Sequence, residues 1–261
     1  MYDDFSSPEF IAFVAEIEKE MNSSKSSGAE KFPITDEAIK NIPYIEYEGL
    51  EKRQCLRIQE LEQILLSISR FKNNCNEVAI TYRLDGEGFL NEQDRMGVVF
   101  GEEGQVNIFS DEKTRKLFET SKELVILSMH NHPNGTSFSF NDLAFFYSHD
   151  EIKIFVVVTN TGKVNSISRT DLYTKGASFT RLVEMLKENV PRFKELSFEA
   201  VKISVENKKK AYVVMKEWFK HLKEFGIRYE DGVLKSEKPS NSKRNRKKRK
   251  SRQISGRGFT R

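Results

Sequence analysis

The stretch ELVILSMHNHPNG, residues 123–135, constrains this chain more than any other. Its apolar first half, bounded by polar and turn-forming residues, reads as a buried strand. At the end of that strand stand two of the chain's four histidines, His130 and His132. Side chains two apart on extended backbone point to the same side, so both imidazoles can aim at one point. Pro133 ends the strand, and Asn134 with Gly135 supplies turn chemistry.

Just beyond, Ser139 is placed to cap a helix beginning near Phe140, which sets Asp142 in the first turn with its carboxylate facing back toward the loop. Two imidazoles and a carboxylate are a donor set that one zinc ion accepts. Three protein ligands leave the fourth tetrahedral position to water, the arrangement of a catalytic rather than a structural site. Such a site needs a general base. Glu77 opens an apolar run where a carboxylate has no packing reason to be, whereas Glu87, Glu92, Glu102 and Glu103 lie in polar, loop-like surroundings. Glu77 is therefore the candidate.

Around this stretch the chain alternates between strand and helix patterns. Residues 51–72 place Leu56, Ile58, Leu61, Ile64, Leu65 and Ile68 at helical intervals, predicting an amphipathic helix. Segments 76–84, 95–101, 104–109 and 123–129 are rich in Val, Ile and Phe and read as strands. Residues 110–122 open with Ser110 and acidic residues, as a capped helix does. A helix over 141–148, a strand over 152–159, a turn at NTGK and a strand over 164–169 follow, the last pair reading as a hairpin. From about 170 the pattern turns helical, over 178–190 and again over roughly 198–224, with Trp218, Phe219 and Leu222 as core positions and no ligand set. At the other end, residues 8–22 have helical spacing and run into the polar linker SSKSSG.

The order Glu77, then His130-x-His132-Pro133, a five-residue spacer NGTSF, then Ser139-x-x-Asp142 resembles the JAB/MPN (JAMM) metalloprotease family. The resemblance covers about residues 75–170 and extends more loosely upstream through ITDEAIKNIP. The short spacer, HNHP and SFS are similar to the bacterial and phage-associated branch rather than to the eukaryotic deubiquitinases. The resemblance implies an α/β fold, JAB/MPN-like (cytidine-deaminase-like), with a curved mixed sheet flanked by helices. It also implies zinc-dependent hydrolysis of peptide or isopeptide bonds in a protein substrate. His130, His132 and Asp142 would bind the zinc, Glu77 would shuttle the water's proton, and Ser139 would donate a hydrogen bond to the oxyanion or the attacking water. The expected organisation is an N-terminal helix and linker (1–45), a metallohydrolase domain (46–170), a helical appendage (171–234) and a disordered basic tail (235–261).

Two rivals stand beside this reading. A metal-dependent phosphoesterase would gather two or three metals, and only His149 and His221 remain to serve them. A non-catalytic JAB-fold scaffold, associated with nucleic acid or with phage or mobile-element proteins, would keep the metal for structure alone.

Charge distribution bears on partners. Of 43 Lys/Arg and 39 Asp/Glu, residues 235–261 hold 12 basic and one acidic, leaving 31 basic and 38 acidic residues in the rest of the chain. The run KRNRKKRKSR, residues 243–252, has no apolar residue to bury. It is expected to attach nonspecifically to nucleic acid through counterion release, or to an acidic partner. No apolar run approaches the roughly 18 residues that span a bilayer, and the acidic start is unlike a secretory signal, so a cytoplasmic location without a membrane partner is expected. Cys55 and Cys75 are too few for a disulfide framework and read as reduced thiols.

Overall fold

A computed structural model describes residues 31–85, 91–102, 104–175, 177–189, 213–214 and 216–232. The expected helix over 8–22, its linker, residues 198–212 of the expected helix over roughly 198–224, and the basic tail lie outside these residues. The described chain is a mixed α/β structure built on one six-stranded sheet of order β2-β1-β3-β4-β5-β6. The strands are β1 (Val78–Arg83), β2 (Met96–Phe100), β3 (Ile126–His132), β4 (Ile152–Thr159), β5 (Val164–Arg169) and β6 (Ile227–Gly232). Every pairing is antiparallel except β3 with β4. Those two are joined through a helix, as a parallel pair must be. The helices are α1 (Asp36–Lys40), α2 (Lys52–Lys72), α3 (Glu112–Glu119), α4 (Phe140–Ser148) and α5 (Ala177–Asn189). No helix among the described residues is long and apolar enough to cross a membrane.

The two faces of the sheet carry separate cores. One packs Ile58, Leu61, Leu65 and Leu66 of α2 against Val78 and Ile80 of β1, Leu127 and Met129 of β3, and Ile154, Val156 and Val158 of β4. The other packs Leu143 and Phe146 of α4 against Phe155, Val157 and Ile167, together with Leu182 of α5, Trp218 and Ile227. In the central strand β3, odd-numbered side chains face α2 and even-numbered ones face α4, as the two-residue period of a strand requires. All seven residues of β3 are buried, so the strand runs through His132 rather than stopping ahead of the histidines.

The long helix forms as its spacing predicts and starts on a reciprocal cap, with the Glu51 N–H donating to Gln54 Oε1 at 2.9 Å. Leu56 departs from expectation: it is 42% exposed. At roughly 100° per residue it falls about 150° from the middle of the buried stripe. Glu62 falls inside that stripe and is buried.

Three other local expectations are corrected. Residues 104–109 do not form a strand. The Glu102 N–H donates to Gln105 O (2.9 Å), and Asn107 accepts from the Phe109 N–H (3.2 Å), which starts a 3₁₀ turn at Ile108–Ser110. A side chain at Gly101 would meet the Gln105 carbonyl at 2.4 Å, so the chain turns sharply there and leaves the sheet. Helix α3 is capped by Asp111, not Ser110, through Thr114 N–H to Asp111 Oδ2 at 2.7 Å. The expected helical texture through 234 ends early: Gly226 takes φ +70° after a 3₁₀ turn at Leu222–Phe225, and β6 then pairs with β5. Ile227 and Tyr229 face the α4 core while charged residues alternate with them, a period-2 pattern hidden in IRYED.

Candidate metal centre

His130 and His132 sit two apart on β3 and both face α4. Their Nε2 atoms lie 2.9 Å from each other. Asp142 comes to the same point from the first turn of α4. Its Oδ1 is 3.1 Å from His130 Nε2 and its Oδ2 3.5 Å from His132 Nε2. These three groups are the one cluster of potential metal ligands among the described residues, each offering a ligand atom within 4.8 Å of the others. A four-coordinate ion with ligand bonds of about 2.0–2.1 Å separates its ligands by about 3.3 Å, and the three observed separations bracket that value. The set is shielded from water, with side chains 4, 9 and 12% exposed. It could hold a metal ion.

Local structure explains the convergence. Ser139 and Asp142 form a reciprocal helix cap: the Asp142 N–H donates to Ser139 Oγ (3.1 Å) and the Ser139 N–H to Asp142 Oδ2 (2.6 Å). This capping box fixes the carboxylate at the helix start, the end of the helix dipole that favours negative charge. His132 Nδ1 lies 3.1 Å from the Thr136 carbonyl. A carbonyl only accepts, so the ring's hydrogen belongs on Nδ1 and the Nε2 lone pair faces the cluster, as a ligating histidine needs. His130 Nδ1 is buried without a hydrogen-bond partner, leaving Nε2 as its working atom. The loop between β3 and α4 turns at Gly135 (φ +73°), where any side chain would press on the Phe32 ring at 3.2 Å.

Electrostatics within the cluster are strong. Burial acts to raise the Asp142 pKa, yet His130, His132 and the Ser139 N–H outweigh it and hold the carboxyl well below the usual carboxylate range. Burial opposes charging of His130, but Asp142, with a smaller contribution from Glu77, outweighs it and raises that imidazole above its ordinary value.

Glu77 precedes β1 by one residue and is 6% exposed. Ala79 pairs with His130 as the last step of the antiparallel β1–β3 register, and Glu77, two residues before it, lies near enough for its charge to act on His130. Its backbone is held from the other side, with the Glu77 N–H donating to Glu102 O (3.0 Å) and the Gly101 N–H to Glu77 O (2.8 Å). His130, His132 and Asp142 thus meet at one point, with Ser139 bonded to Asp142 and Glu77 acting on His130 from the start of β1.

The other histidines lie elsewhere. His149 is half-buried among the rings of Phe109, Phe118 and Phe145, and burial lowers its pKa. His221 sits beside Glu217 and Glu224 with its side chain exposed. Comparisons with protein families, curated proteins and solved structures find no match to this chain.

Proposed function

We propose that the protein is a zinc-dependent hydrolase of JAB/MPN type that cleaves peptide or isopeptide bonds in a protein substrate. The observation that carries this reading is the meeting of His130 Nε2, His132 Nε2 and an Asp142 carboxylate oxygen within 4.8 Å, with Glu77 near enough for its charge to act on His130. Two imidazole nitrogens and a carboxylate oxygen suit zinc, and three protein ligands leave room for water. Zinc held there would supply a water acidified toward pKa about 7 and a Lewis acid for the scissile carbonyl.

The chain's own groups supply the rest. Glu77 accepts a proton from the attacking water and returns it to the departing amine. Ser139 Oγ accepts the Asp142 N–H, and that bond leaves the hydroxyl hydrogen available to donate toward the developing oxyanion. Asp142, kept ionised by its neighbours, would supply the third ligand. The basic run at 243–252 supports a second element, salt-sensitive attachment to a polyanion such as nucleic acid.

The test compares metal content and cellular protein termini for wild type and Glu77→Gln. New termini or released modifiers with wild type alone, at equal zinc content, support hydrolysis. Equal profiles in a relevant host, with metal bound in both, point to a non-catalytic scaffold.

A further inference from the structure

Between the two histidines stands Asn131, whose side chain points to the opposite, apolar face, continuing the row Leu127 and Met129. A fully buried amide in that row costs free energy unless its polar atoms find partners. They all do, at long sequence range. Asn131 Oδ1 accepts the Val78 N–H at 2.7 Å. Asn131 Nδ2 donates toward Asn160 Oδ1 (2.8 Å), Ser69 Oγ (3.2 Å) and Asn76 O (3.2 Å).

The bond to Val78 decides what this residue does. The β1–β3 register runs from Arg83 and Ile126 to Ala79 and His130 and goes no further. Where the next contact along the ladder would fall, the Val78 N–H meets a side-chain oxygen instead of a backbone carbonyl. The start of β1 is thereby tied to β3 through a side chain at the point where Glu77 enters the site. Asn160 extends the tie. It accepts from Asn131, donates its backbone N–H to His132 O (3.2 Å), and donates Nδ2 to Cys75 O (3.0 Å) and Phe32 O (2.8 Å). The loop so held contains two successive non-glycine residues with left-handed backbone, Asn74 (φ 50°) and Cys75 (φ 59°). Such strain persists only where surrounding bonds over-determine the conformation.

We infer that Asn131 is a positioning residue: it fixes the strand end bearing His130 and His132 against the start of β1, and so sets where Glu77 stands relative to the metal ligands. The inference rests on the proposed metal site and concerns the face of the sheet that the site does not use.

The experiment measures zinc affinity by chelator competition and the visible spectrum of the cobalt-substituted protein. It compares wild type, Asn131→Ala, the milder Asn131→Ser, and Leu61→Ala, which opens a cavity in the same core away from the ligands. Both Asn131 variants are expected to bind zinc about 10-fold or more weakly, the size of effect that outer-shell partners typically have, and to change the cobalt bands. Leu61→Ala should lower the melting temperature while keeping zinc affinity within about 2-fold and the bands of wild type. Wild-type affinity and spectrum in both Asn131 variants would overturn the inference, as would equal weakening in Leu61→Ala. Wild type that takes up no zinc would overturn the proposed function first, and is read from that protein alone.

Discussion

Two carboxylates are buried on opposite faces of one sheet, and they titrate in opposite directions. Asp142, on the α4 face, is pulled far down because two imidazoles and a backbone N–H surround it. Glu62, on the α2 face, is pushed well up by burial, and one of its carboxylate oxygens has no hydrogen-bond partner. Burial is common to both; partners are not. A buried acid that its neighbours keep charged is suited to a positive partner, whereas one that burial alone neutralises is a local cost of packing. The nearby Tyr47 phenol is shifted the same way, raised first by burial and then by Glu62.

The contrast yields predictions of graded size. The largest concerns Glu77, the proposed general base. Glu77→Gln should retain zinc and lose roughly 10²–10⁴-fold in turnover, the span expected for a general base, checked by steady-state cleavage once a substrate is found. Next, Asp142→Ala should weaken zinc beyond the roughly 10–100-fold typical of an outer-shell partner, checked by chelator competition. A variant that kept wild-type affinity would erase the distinction between the two acids.

On the other face, Glu62→Gln should stabilise the protein at neutral pH by about 1–3 kcal/mol. The sign follows from linkage. The folded-state pKa of Glu62 lies above the unfolded value of about 4.3, so the folded state holds a proton the unfolded state releases, and stability falls as pH rises through that interval. The variant's advantage should therefore shrink toward pH 4 and grow toward pH 8, measured by denaturant midpoints across that range. A pH-independent difference would mean that Glu62 ionises normally in the fold. The smallest expected effect is at the cap: Ser139→Ala should cost about 1 kcal/mol of stability, and Ser139→Gly only a few tenths, read from the same midpoints.

The site was more legible in the sequence than the scaffold around it. His130, His132, Ser139 and Asp142 lie within thirteen residues, so strand alternation and helix capping suffice to bring them together. Glu77 was visible only as a charge out of place beside an apolar run; its nearness to His130 depends on the pairing of β1 with β3, which no local pattern states. Asn131 was harder still, since its partners Ser69 and Asn160 are 62 and 29 residues away in sequence.

Elsewhere the misses have physical causes. GQVNIF has strand composition, but Gly101 and Asn107 favour local turns that compete with a ladder. Strand β6 was hidden because IRYED is short and charged, as edge strands are; the stop at Gly226 followed by Ile227 and Tyr229 was the available signal. Glu62 could have been found by continuing the α2 stripe through its polar members. Leu56 would have dropped out by the same wheel.

The central claim is that His130, His132 and Asp142 hold one metal ion, and metal analysis of purified protein tests it most directly. Protein dialysed against trace zinc and assayed by elemental mass spectrometry should carry one zinc per chain, and His132→Ala prepared identically should carry almost none. Wild-type protein that remains metal-free, or His132→Ala that binds as much as wild type, would contradict the account.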